Sequence, residues 1–224
     1  MKSLRVVWKA SLVLLVVIVA VTLTSGYWTA HIARSLTCAE DPAASDAMLI
    51  ENFDPNYLLF ERAAELEKAG VARIALVPVE MSSDAGVANL VSQGIAELMA
   101  RQARLRVWRT IPIRITEPVS LNAALQIRAH LADSRIRSII VIAPGFRSRR
   151  SSLVYRVAFG PAGISVHCVP VFGRNSSTRW TETWHGIQEV TEEYLKLQYY
   201  RLYVIPFVAP HGSGEPNERD HRSR

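Results

Sequence analysis

The 224-residue chain is 49% hydrophobic and 21% charged, which excludes a disordered protein and allows one proper core with a short appendage. Its formal charge of +6 comes from 26 basic against 20 acidic residues. The excess gathers at the N-terminus and within residues 101–114 and 147–156, patches that suit phosphates, lipid headgroups or nucleic acid.

Lys2, Arg5 and Lys9 precede an uncharged run over residues 10–30, "ASLVLLVVIVAVTLTSGYWTA". At ~1.5 Å per residue it reaches about 31 Å, enough to cross a bilayer once. The basic flank predicts a cytoplasmic N-terminus, residues 1–9, and Tyr27 and Trp28 stand where an interfacial aromatic belt belongs. A cleaved signal peptide shares the basic start and the apolar run, but no small-x-small site follows directly and the run is long, so an anchor is preferred. The remaining chain is then expected outside the cytoplasm. Residues 31–45 read as a polar linker. Cys38 in that linker and Cys168 in an apolar strand are expected to be two unpaired thiols, although one bridge is possible in an oxidising compartment.

Residues 46–208 alternate strand and helix signals. "AMLIENF" (47–53) is a short strand, after which Asp54-Pro55 opens a helix whose Leu58, Leu59, Arg62, Ala63 and Leu66 share one stripe ending at Gly70. Strands over 73–79, 105–115, 138–143 and 164–171 alternate with helices over 86–104, through "SLNAALQIRAHLAD", and over 148–159. This pattern predicts an α/β fold of right-handed βαβ crossovers, with a mainly parallel sheet covered by helices on both faces. "SIIVIA" has the continuous apolar character of a central strand. A final amphipathic helix carries Trp184, Ile187, Val190, Tyr194, Leu197 and Arg201 at spacings of three and four, and is expected to cover an outer face of the sheet. Residues 209–224 read as a disordered tail.

In such sheets ligands bind beyond the carboxyl ends of the strands. That rule collects Glu51, Asn52 and Phe53, then residues 80–84, residues 116–122 and residues 144–150 around one expected cleft. Arg147, Arg149 and Arg150 open a helix whose N-terminus already favours an anion, so they are candidate phosphate ligands together with Asn52, Ser120 and Asn122. Glu117, before Pro118 at a helix mouth, is the candidate catalytic carboxylate. The structural alternative is that Glu117, or a carboxylate after another strand, pairs with one arginine while the others are solvated. His130, His167 and His185 have no second ligand at metal spacing, so no metal site is expected. GxGxxG, P-loop, GxSxG and HExxH motifs are missing, and no cofactor can be named. Nucleic-acid binding is disfavoured because the arginines lack an aromatic stacking platform.

"FERAAELEKAGVARIALV", the block from "SLNAALQIRAHLAD" to "ISVHCVPV", and above all "EYLKLQYYRL" resemble the YdcF, SanA and ElyC-type family of bacterial envelope-associated domains. The resemblance covers roughly residues 46–204. It implies a Rossmann-like sheet tethered to the inner membrane and a role in cell-wall, lipid-carrier or exopolysaccharide metabolism. Glu117, Ser120 and Asn122 fall where that family has its glutamate and asparagine-bearing helix start, and Arg149 or Arg150 where it has an arginine. Two departures stand out. Glu51-Asn52-Phe53 replaces a glycine-rich strand end, and Phe146-Arg147 replaces a histidine. The expected partner is therefore either a phosphorylated, lipid- or nucleotide-linked metabolite or, for an accessory protein, the envelope-assembly machinery.

Overall fold

The computed structural model describes residues 2–82, 88–173 and 177–209. Five strands, β1 (Ala47–Ile50), β2 (Ala75–Glu80), β3 (Trp108–Ile113), β4 (Ser138–Pro144) and β5 (Ser165–Val171), form one sheet in the order β3-β2-β1-β4-β5. Every pairing is parallel. The chain winds outward from β1 through β2 to β3, then returns to the other side of β1 with β4. That reversal opens a crevice between the carboxyl ends of β1 and β4.

Side chains alternate across a strand, and the central strands divide between two cores accordingly. Ala47, Leu49, Ile139, Val141 and Ala143 pack beneath α4 (Val119–His130) and α5 (Ser148–Phe159). Met48, Ile50, Ile140 and Ile142 pack beneath α2 (Tyr57–Lys68) and α3 (Leu90–Gln102). Burial on both faces is why β1 and β4 read as continuous apolar runs. Helix starts follow local chemistry. Asn56 accepts a hydrogen bond from Leu58 N at 3.1 Å, and Asn89 accepts one from Val91 N at 2.9 Å. Gly70 leaves α2 with φ +73°, a conformation that other residues adopt only with strain. The predicted start of α3 at Gly86 and the predicted tail from residue 210 onward lie outside the described residues.

The N-terminal helix α1 (Lys2–Leu36) contains the one segment among the described residues, Ser11–Leu36, that is long and apolar enough to cross a membrane. It does not give way to a linker after residue 30. Ala33 and Leu36 are buried against Phe146, Trp180, Val190 and Leu197, because the end of the helix supplies an apolar face that the domain covers. The expectation of two unpaired thiols is also corrected. Cys38 and Cys168 form a disulfide, with their Cα atoms 6.4 Å apart. The docked helix carries Cys38 over β5, where Cys38 N donates to Ser148 Oγ at 3.0 Å and Asp41 N donates to the Cys168 carbonyl at 2.9 Å.

A short 3₁₀ turn (Trp180–Glu182) leads into α6 (Trp184–Tyr199), which continues as a π-helix over Tyr200–Val208. The predicted stripe is partly out of phase. Gly186, Val190, Glu193, Leu197, Tyr200 and Val204 are buried, whereas Trp184 and Tyr194 are exposed. A carboxylate occupies the buried line, and its reason lies in the seam beneath.

Candidate functional site

At the β1–β4 crevice, a 3₁₀ turn (Gly145–Arg147) carries the chain from β4 into α5. Arg150, one turn into α5, is buried with Glu193, each side chain only 6% exposed. Its Nε donates to Glu193 Oε2 at 3.1 Å, its Nη2 donates to the same oxygen at 2.9 Å, and its Nη1 donates to Ser120 Oγ at 2.6 Å. The guanidinium also lies 5.4 Å from the centre of the Tyr200 ring, and Tyr200 Oη accepts from Ser120 N at 3.2 Å. One arginine thus ties together α4, α5, α6 and the π-helix. This fork geometry is the one in which arginine and carboxylate pair most strongly.

Arg147 pairs with Asp54 in the β1–α2 loop and reaches Glu193 Oε1 at 3.4 Å. Burial pulls its pKa down, but the carboxylates of Glu51, Asp54 and Glu193 outweigh that and raise it above the ordinary arginine value. Glu51, fully buried at the end of β1, accepts from Ser151 Oγ at 2.6 Å. Desolvation pushes its pKa above the usual carboxylate value despite the nearby Arg147 and Arg150. Among the described residues Glu51 Oε1 has no hydrogen-bond partner, nor has the buried hydroxyl of Tyr155. Burial first, and Glu51 second, raise the Tyr155 pKa. A carboxyl held nearer its neutral form can donate as well as accept a hydrogen bond.

Three cavities surround the strand ends. The first, about 410 Å³, is lined by Asp54, Arg147, His185, Gln188, Glu189, Glu192, Glu193 and Lys196, so that acidic groups outnumber basic ones. The second, about 220 Å³, lies over β1, β2 and β3 and has apolar walls that include Phe53, Pro78, Ile95 and Ile113. Asn52, Glu80 and Ser92 supply its polar lining, and among the described residues the buried Asn52 Oδ1 has no hydrogen-bond partner. The third, about 450 Å³, is lined by Met81, Arg114, Thr116, Asn122 and Gln126, among others.

The predicted site residues are therefore distributed among several places. Ser120 and Arg150 meet directly, and Arg147 and Arg150 share Glu193. Asn52 faces the second cavity and Asn122 the third. Asn122 Nδ2 donates to the Glu117 carbonyl at 2.8 Å, while the exposed Glu117 carboxylate accepts from Val119 N at 3.3 Å. Both contacts finish the start of α4. Arg149 is exposed and has no ion-pair partner among the described residues. Asp54, following β1, is the carboxylate after another strand that the structural alternative expects, and it pairs with Arg147, whereas Glu193, Ser151 and Tyr155 are not among the candidates read from the sequence. The signal for Glu193 was present in "EVTEEYLKL", since it falls three residues after Val190 and four before Leu197, on the line that has to be buried. Among the described residues no cluster of His, Cys, Asp and Glu could hold a metal ion. No protein-family model matches the chain, and no curated protein matches it.

Proposed function

We propose that this chain is a membrane-anchored accessory domain of the bacterial cell envelope, exposed on the extracytoplasmic side, which binds a component of wall or exopolysaccharide assembly rather than transforming a phosphorylated substrate. The observation that carries this reading is the saturation of the seam. Arg150 spends its guanidinium on Glu193 and Ser120, and Arg147 spends its own on Asp54 and Glu193. An anion would have to displace the buried Glu193 carboxylate to reach Arg150, and breaking a buried pair costs about 3–5 kcal/mol. The basic N-terminal flank favours a cytoplasmic N-terminus. The disulfide suits an oxidising compartment.

A second reading keeps a phosphorylated, lipid- or nucleotide-linked metabolite. It is favoured by the unpartnered Asn52 Oδ1 at the 220 Å³ cavity, an acceptor suited to a hydroxyl or amide of such a ligand. Thermal shift on the full-length protein in detergent separates the two, using nucleotide sugars and short polyprenyl phosphates as probes. The accessory reading expects no stabilisation that grows with probe concentration. A shift that Asn52→Ala or Arg149→Ala abolishes would replace it with the metabolite reading. A reporter fused after Val208 that is active only in the cytoplasm would overturn the topology.

A further inference from the structure

We infer that the domain makes a second contact with the bilayer, through the N-terminal end of α6, and that this contact seats the mouth of the acidic cavity at the headgroup layer. The inference rests on the anchoring of α1 just proposed.

A tether would leave the domain free to tumble above the membrane, but α1 does not end as a tether. Its last turns are buried in the domain at Ala33 and Leu36, and the disulfide fixes the next residues to β5. Where the exposed part of α1 ends, Trp180 Nε1 donates to the Thr29 carbonyl at 3.2 Å. The 3₁₀ turn before α6 is therefore held at the level where the apolar span gives out. Gly186 makes that clasp possible, because a Cβ there would lie 2.2 Å from the Trp180 carbonyl oxygen.

The surface presented at this level has interfacial chemistry. Tyr27 and Trp28 on α1 are 62% and 56% exposed, and Trp184, at the first position of α6, is 73% exposed. Exposed Arg34 and Arg179 flank them. Amphipathic rings with nearby cations are the residues that settle among phospholipid headgroups. The occupant of this face is thus the headgroup layer of the same bilayer that α1 crosses. The consequence for the cavity is geometric. His185, Gln188, Glu189, Glu192 and Glu193 follow Trp184 on one helix, so at ~1.5 Å per residue all lie within about 14 Å of its membrane end. The cavity is thereby placed close to the membrane surface.

Full-length protein reconstituted in vesicles of phosphatidylethanolamine and phosphatidylglycerol tests this by spin-label accessibility. Labels are placed one at a time at Thr181→Cys, at Val16→Cys inside the span, and at Leu98→Cys on α3 near the other edge of the sheet. The native cysteines are paired, so only the introduced thiol reacts. The expected result is that the ratio of oxygen to nickel-chelate accessibility is several-fold higher at position 181 than at 98, and that Trp184→Ala lowers it at 181. A label at 181 as open to nickel chelate as the label at 98, with the label at 16 in lipid, overturns the second contact and leaves the anchor standing. A water-exposed label at 16 overturns the anchor itself and this inference with it. An unchanged ratio at 181 in Trp184→Ala overturns the role assigned to that ring.

Discussion

Glu51 and Asn52 leave β1 in succession and, because side chains alternate across a strand, enter opposite faces of the sheet. Glu51 goes to the side of α5 and α6, into a network of Ser151, Arg147, Arg150 and Glu193 in which both arginines are held by carboxylates. Asn52 goes to the side of α2 and α3, where its Oδ1 is buried without a hydrogen-bond partner among the described residues at the edge of a cavity. On the charged side the arginines are engaged by the protein's own carboxylates, and the unmatched Glu51 Oε1 and Tyr155 hydroxyl are enclosed within the fold, whereas on the nearly uncharged side the unmatched acceptor stands at a cavity. Charge density along a sequence therefore locates a ligand poorly when a later helix can supply the counter-charge. An unpaired buried acceptor is the more informative sign.

The largest expected effect comes from opening the closed side. Arg150→Ala leaves the buried Glu193 with only the 3.4 Å contact to Arg147 and should cost about 3–5 kcal/mol, read from the midpoint of chemical denaturation. The double variant Arg150→Met, Glu193→Leu should recover most of that loss, since a buried pair often contributes little beyond an apolar replacement. If the double variant is as unstable as the single one, the pair is more than internal mortar and the contrast with Asn52 weakens.

Breaking the disulfide should come next. Cys38→Ser with Cys168→Ser frees a loop of sequence separation 130, and loss of a native bridge typically costs about 2–4 kcal/mol. Cys38 N also bonds Ser148 at the head of α5, so the damage should be lopsided. Hydrogen exchange should accelerate at the start of α5 and in β5 and leave α2 and α3 close to wild type. Uniform acceleration would mean that the two faces do not differ in how they are held.

These cases show which parts of the molecule can be read in advance. β4 and α5 are legible because their apolar periodicity is local and nothing distant changes it: a helix over Ser148–Phe159 is both predicted and observed. Glu193 and Cys38 are not, because what fixes them lies far along the chain. Glu193 is buried for the sake of arginines 43 and 46 residues earlier, and Cys38 meets its partner only because Ala33 and Leu36 dock on the domain. Ser120 and Arg150 were both candidate residues, yet spacing could not show that they bond to each other across two helices. Glu117 and Asn122 were chosen for their place at a helix mouth, and there they meet the backbone of that mouth.

A pH series sharpens the comparison at Glu51. Its folded pKa is raised, so between the unfolded carboxylate value and the folded one the native state binds more protons than the unfolded state. Stability must then fall as pH rises through that window, the slope being set by the difference in bound protons. Glu51→Gln keeps a neutral group beside Ser151 and removes the titration. Denaturation midpoints measured from pH 4 upward should decline in the wild type and be flatter in the variant. Equal slopes would show that Glu51 is not the proton-binding group of the seam.

The smallest effect should be at Arg149, the one member of the arginine run that is exposed without an ion-pair partner among the described residues. It sits in the first turn of α5, where the positive end of the helix dipole slightly disfavours a cation. Without an anion to offset that cost, Arg149→Ala should leave stability within about 0.5 kcal/mol of wild type, as most surface substitutions do, or raise it slightly. The informative measurement repeats the denaturation with inorganic phosphate present. If phosphate stabilises the wild type in a concentration-dependent way and the variant not at all, then α5 does hold an anion at its exposed corner, beside a buried network that holds none. If both respond alike, the run of arginines divides into two that are internal structure and one that is solvated surface. In that event the unpaired Asn52, not the charge, is where a ligand should be sought.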